Sequence, residues 1–192
     1  MRMFPARLRS WFALCCLLIL GACSLAPTQP LPPRQFDLGG AQLPAAPGGQ
    51  PVQLQDCSAP AWLDTTAMNY RLNWRDPLQL QVFRDSRWVA PPCALLAQRL
   101  REVLTGGDSP PPRTLHLALD RFEQDFDSTS SSRVVIRLRA TLMVPGTTPL
   151  ARSRTFEREL PVADPDAAHG VLALSQASDA LLGELRAWAL EP

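Results

Sequence analysis

The sequence predicts an α+β domain: an antiparallel β-sheet of five or more strands with two amphipathic helices packed on one face. Three observations carry this expectation. Runs in which every second residue is apolar recur between positions 52 and 160, two leucine-rich stretches repeat instead every three to four positions, and clusters of Pro, Gly, Asp and Ser separate them.

The elements follow in order. Phe36-Asp37-Leu38 is a short apolar piece that can pair as a first edge strand, closed by Gly39-Gly40. Val52 and Leu54 alternate with Gln53 and Gln55, and Met68, Tyr70 and Leu72 share one face of the next run. A turn at Arg75-Asp76-Pro77 leads to Leu78, Leu80 and Val82, which again alternate with polar residues, so the pair reads as a hairpin. Pro91-Pro92 opens a helix, because proline suits a first turn whose amide hydrogens are not needed; Leu96, Leu100, Val103 and Leu104 line one face, and Gly106-Gly107 stops it. Leu115, Leu117 and Leu119 begin a long half-buried strand running toward Phe126. The polar turn from Asp127 to Ser132 returns the chain through Val134, Ile136, Leu138, Ala140 and Leu142, and Pro145-Gly146 turns it into a third strand over about Leu150 to Leu160. Those three strands form an antiparallel meander. Asp164-Pro165-Asp166 offers an N-cap, a proline at the first helical position and an acid near the positive end of the dipole for the last helix, whose face runs through Val171, Leu174, Ser178, Leu181, Leu182, Leu185 and Trp188.

The N-terminus carries a different signal. Arg2, Arg7 and Arg9 precede ten apolar residues from Trp11 to Leu20, about half the length of a spanning helix, and Leu20-Gly21-Ala22-Cys23 follows. This resembles the lipobox of bacterial lipoproteins, which implies cleavage before Cys23 and acylation of its sulfur and amine, more than one chain being needed for a stable anchor. Ser24 in second place, where an aspartate would favour retention in the inner membrane, implies an outer-membrane, periplasm-facing location. Residues 24–51 hold seven prolines among Gly, Gln and Ala and read as a semi-extended tether. The expected organisation is a signal peptide over residues 1–22, the lipidated cysteine and tether over 23–51, and one folded domain over 52–192.

All 19 basic residues among the 192 are arginine. Three leave with the signal, so 16 arginines face 18 acidic residues, a formal charge of about −2 that disfavours nucleic acid as a partner. Cys15 and Cys16 also leave, and Cys57 and Cys93 remain in an oxidising compartment either as a disulfide or as two buried thiols. Two cysteines and two histidines without ligand spacing predict no metal site, and no cofactor is expected.

Three blocks then resemble, in order, the ABC-type transport auxiliary lipoprotein family, which includes the paraquat-inducible protein C lipoproteins. The first runs from Trp62-Leu63-Asp64 through Met68-Asn69-Tyr70-Arg71-Leu72 to Ser86-Arg87-Trp88-Val89-Ala90-Pro91-Pro92 and the helix ending at Leu104. The second is Leu117-Ala118-Leu119-Asp120-Arg121-Phe122-Glu123 with the strand from Ser132, and the third is Arg154-Thr155-Phe156 with the terminal helix. The resemblance implies an accessory subunit and not an enzyme. Its partners would be a periplasmic MCE-domain protein with its permease and ATPase, moving phospholipid or other hydrophobic molecules between the two membranes. It also implies a homo-oligomer suited to a ringed partner. The chain has no Gly-x-x-x-x-Gly-Lys sequence, so the ATPase is another subunit; nor has it a Gly-x-Ser-x-Gly elbow around Ser175.

Two groups of residues are candidates for contact. Arg133, Arg137 and Arg139 share one face of a strand, and Arg152, Arg154 and Arg158 share a face of the next, so the rows would make a basic ladder for an acidic partner rim or for lipid headgroups. The alternative is a solvated face paired with Asp120, Glu123 and Asp125. Trp62, Tyr70, Trp74, Phe83 and Trp88 either pack the core or line a lipid groove. Because the helices and sheet consume the apolar positions, a docking or tethering adaptor is favoured over a lipid carrier. The competing function is a structural envelope lipoprotein that supports an outer-membrane assembly complex without touching cargo.

Overall fold

The computed structural model describes residues 31–43, 51–104, 113–146 and 150–191. In chain order the elements are β1 (Arg34–Phe36), β2 (Val52–Ser58), β3 (Ala67–Leu72), β4 (Asp76–Trp88), α1 (Pro92–Val103), β5 (Arg113–Phe126), β6 (Ser132–Val144), β7 (Leu150–Val162) and α2 (Ala167–Leu190). The signal region and Cys23 lie outside the described residues.

The core is built on β5, β6 and β7, an antiparallel meander. Leu115, Leu117, Leu119 and Phe122 stand opposite Leu142, Ala140, Leu138 and Ile136, Phe156 continues the row opposite Leu138, and all are buried. Each fully buried leucine or phenylalanine here contributes about 1.5–3 kcal/mol of transfer free energy. A register shift between Leu119 and Arg121 changes the phase of β5. It keeps Phe122 and Phe126 on the core side and turns Arg121, Glu123 and Asp125 to the other.

The sheet is mixed, which corrects the expectation of a purely antiparallel one. It has seven strands in the order β1-β4-β3-β5-β6-β7, with β2 also on β5. β2 and β3 follow one another along the same edge of β5, beside Arg113 to Ala118 and Glu123 to Phe126, both parallel to it, and β1 runs parallel to the end of β4. β3 and β4 form the expected hairpin.

α1 starts on Pro91 and Pro92 and buries Cys93, Leu96, Leu100 and Val103. α2 is capped by Asp166, whose side chain accepts the His169 amide at 2.8 Å. At the other end Arg113 Nη1 donates to the Ala189 and Glu191 carbonyls at 3.1 and 2.6 Å, placing a cation where the helix dipole is negative. α2 lies against β6 and β7, and Trp188 meets Phe156 edge-on with ring centres 5.7 Å apart. Its first turn comes so close to the sheet that a Cβ on Gly170 would sit 2.2 Å from Oε1 of Gln124. Among the described residues no helix is long and apolar enough to cross a membrane.

Residues 34–43, which composition assigned to the tether, pack on the domain. The strand lies at Arg34–Phe36, slightly before the expected Phe36–Leu38, and pairs with Ser86 to Trp88. Leu38 is buried, and Gly39, at φ +69°, turns the chain across the helices.

Candidate docking surface

On the side of the sheet away from Leu138 and Phe156, β3 and β5 carry a charged cluster. Glu123 is 1% exposed. Its Oε1 accepts from Nε of Arg71 at 3.0 Å and from Nε of Arg121 at 2.8 Å, while Arg121 also reaches Asp125 at 2.9 Å. Burial opposes the charge on Arg121, but its hydrogen bonds and ion pairs with Glu123 and Asp125 outweigh that and hold its pKa above the ordinary arginine value. The long arginine side chains lie over short buried carboxylates, so the charges of the cluster neutralise one another. Glu123 and Asp125 were legible as cross-strand partners. Arg71 and Arg121 were missed, although the Arg-x-Glu-x-Asp alternation from Arg121 is the sequence signal for them.

The basic ladder does not form. Arg133, Arg137 and Arg139 do share this face, where they meet Asp127 and Glu159, Glu157, and Asp120 respectively. Arg152, Arg154 and Arg158 pair in register with Leu142, Ala140 and Ile136, residues of the core side, so the two rows occupy opposite faces. On that side Arg152 meets Glu191, Arg158 meets Glu184 of α2, and the Arg154 guanidinium lies 5.0 Å from the Phe156 ring centre. The register closed by the Val144 to Leu150 pair sets this phase.

Beside the charged cluster, β4 presents an apolar row. Leu78 and Val82 are 88% and 54% exposed, with Leu80 between them half-buried. Leu80 and Val82 stand opposite Arg71 and Asn69, which places the row on the charged face. The five aromatics do not make one group. Tyr70 and Phe83 cluster with Phe126, Trp88 packs edge-on to Phe122, and Trp62 and Trp74 are exposed.

A second cluster joins the helices to the N-terminal segment. Arg99, 2% exposed on α1, donates to the carbonyls of Gly39 (3.0 Å), Gly40 (3.0 Å) and Ser175 (2.9 Å) and to Ser175 Oγ (3.1 Å), and lies 3.4 Å from Asp179. Ser175 Oγ donates to the Leu38 carbonyl, Glu102 accepts the Ala41 amide and Asp179 accepts the Gln42 amide. Burial pushes the Arg99 pKa below its ordinary value, partly offset by Asp179, Glu102 and Asp37. Residues 38–42 are therefore a strap held by side chains of both helices. A cleft of about 200 Å³ opens between the strap and α1, lined by Asp37, Val89, Leu95 and Gln98. Sequence periodicity did not reveal Arg99, which sits among Leu95, Leu96 and Leu100 but is a residue type usually solvated.

Cys57 on β2 and Cys93 in the first turn of α1 form a disulfide with Cα atoms 5.7 Å apart. Among the described residues no group of His, Cys, Asp or Glu is arranged to hold a metal ion.

The family model for the ABC-type transport auxiliary lipoprotein component matches residues 36–185. Among solved structures the chain is similar to protein XCC0632 from Xanthomonas campestris, described as DUF330, with a TM-score of 0.68 and 22% identity over 82% of this chain and 95% of that one. It is also similar to a protein described only as uncharacterized, with a TM-score of 0.67 and 16% identity over 82% and 98% of the two chains. The search of curated proteins returns no match. The family match starts within β1, spans every later strand and ends inside α2; the chain belongs to the ABC-type transport auxiliary lipoprotein family.

Proposed function

We propose that this auxiliary lipoprotein is the docking and tethering adaptor of an MCE-type transport system that moves phospholipid or other hydrophobic molecules across the envelope. Cleavage before Cys23 and its acylation would anchor the chain in the outer membrane, with the domain facing the periplasm. α2 lies against β6 and β7 with Trp188 on Phe156, and α1 lies against β2; in this reading both cover the side that carries Leu138 and Phe156, and the opposite side faces outward. That uncovered side supports the docking role. It combines the apolar row of Leu80 and Val82 with charges fixed by one another, the mixture of anchors and oriented polar groups by which interfaces gain affinity and register.

Crosslinking of the tagged, lipidated protein in native membranes, followed by identification of every recovered protein, tests this function. Recovery of an MCE-domain protein is expected. Recovery of outer-membrane assembly factors alone would replace it with a structural envelope role.

A further inference from the structure

The tip of the β3–β4 hairpin, where the apolar row of β4 ends at Leu78, carries further exposed side chains. Trp74 at the turn is 52% exposed, and Leu78, four residues on, is more exposed still. Arg75 and Pro77 between them are also exposed, and Arg75 makes no ion pair among the described residues. The amides of the tip are largely spoken for from within. Asn73 donates to the Phe126 carbonyl (2.9 Å), Arg75 to the Leu72 carbonyl (2.8 Å) and Leu78 to Asp76 Oδ1 (3.0 Å), and Pro77 has no amide hydrogen. A turn whose donors are satisfied internally loses little on leaving water, and tryptophan with arginine is the pairing that suits a membrane's headgroup layer.

The direction of β1 and the length of chain between it and Cys23 are compatible with both the anchor and this tip meeting one bilayer surface. Arg34 of β1 stands beside Ser86 and β1 runs parallel to β4, so the N-terminal end of β1 points along β4 toward the tip. Ten residues of β4 separate Ser86 from Asp76, about 33 Å at strand rise. Eleven residues separate Arg34 from Cys23, a span of at most about 40 Å. A fully extended segment is long enough for Cys23 to lie level with the tip.

We propose that the hairpin tip, Trp74, Arg75, Pro77 and Leu78, seats in the interfacial layer of the phospholipid leaflet that holds the Cys23 acyl chains, an inference that rests on the lipoprotein function proposed above. The lipid anchor and the tip are then two separated contacts with one surface. They stand the strands across the membrane plane and present the uncovered sheet face sideways.

The test uses the full lipidated protein with Trp62→Phe, in phosphatidylcholine vesicles whose acyl chains are brominated near the headgroup. Of the tryptophans remaining after signal cleavage, Trp88 and Trp188 are buried, so quenching reports on Trp74. The expected result is quenching by the shallow bromines that is lost in Trp62→Phe/Trp74→Phe and in Trp62→Phe/Leu78→Asp, and kept in Trp62→Phe/Leu78→Ile. Equal quenching with and without Trp74 overturns the proposal, as does a tip that is quenched only by iodide from the aqueous side or shielded by a bound protein. Mass spectrometry of the N-terminal peptide separates the two levels: acylated Cys23 without Trp74 quenching removes the tip contact alone, whereas an unacylated Cys23 removes the anchor and the tip proposal together.

Discussion

Replacing Arg99 with methionine keeps the length and apolar stem of the side chain while removing its charge and all its donors. Four hydrogen bonds and the approach to Asp179 disappear, and the Gly39 and Gly40 carbonyls lose their partner. Truncating one side of a buried, charge-assisted network costs about 3–5 kcal/mol when the remaining groups stay buried. The strap can escape part of this by lifting into water, but it then gives up the burial of Leu38, a loss of about 1.5–3 kcal/mol. The first route therefore costs about 3–5 kcal/mol and the second about 1.5–3 kcal/mol, and the second exposes residues 38–42 to protease. Urea unfolding of the mature chain with Cys23→Ser measures the loss, and limited proteolysis with fragment mapping tells which route is taken. Arg99→Lys should recover little, because one ammonium cannot serve the strap and Ser175 together. A loss below about 1 kcal/mol with an uncut strap, or full rescue by lysine, would refute the role assigned to this guanidinium.

Three further outcomes follow from the geometry. Gly170→Ala sets about 1 kcal/mol of helix propensity against a Cβ that meets the Gln124 side-chain amide, so the contact is read from a double-mutant cycle with Gln124→Ala in thermal unfolding: Gly170→Ala should be more favourable once Gln124 is truncated, and additivity would contradict the contact. Reduction of the Cys57 to Cys93 bridge, which spans 36 positions, should lower stability by about 4 kcal/mol in the chain-entropy description; urea midpoints with and without reductant check it, and equal midpoints contradict it. At the α2 cap, hydrogen bonding to Asp166 raises the His169 pKa, while the His169 amide and ring lower that of Asp166. The histidine contribution is full below the ordinary histidine pKa and lost as pH rises through the raised folded value, and the aspartate contribution is lost as pH falls through its lowered one. The cap is therefore strongest from about pH 4 to about 6.5. The stability advantage over His169→Gln should shrink above neutrality, and an advantage that grows there reverses the sign.

The parts of the fold legible in the sequence are those set by near neighbours. Leu115, Leu117 and Leu119 against Val134 to Leu142 announce their pairing through period and a short turn, and Pro91-Pro92 marks the start of α1, whereas the cap of α2 falls on Asp166, two residues later than a proline at the first helical position implies. The parallel strands were not legible, because β2 and β3 find β5 across an intervening helix and no local signal fixes the direction of such a pairing. The same limit governs the charges. Parity within each strand grouped the arginines correctly, but only the register across Val144 and Leu150 shows that the two rows face apart. In β4, alternation grouped Leu78, Leu80 and Val82 on one face but could not tell that Leu78 and Val82 are exposed, since which face of a strand is covered depends on elements placed elsewhere in the chain. Arg99 was hidden for a related reason: its partners are carbonyls of a segment that composition assigned to a tether.

The claim that the uncovered sheet face docks the transport partner is tested most directly by photo-crosslinking from single positions in native membranes. A photoreactive residue at Val82 or Thr155 reports on that face, and one at Leu172 or Gln176 on the outer side of α2; all four positions are exposed. Crosslinks to an MCE-domain protein from Val82 and Thr155, and none from α2, are the predicted result. Crosslinks to that partner from Leu172 and Gln176 alone would contradict it.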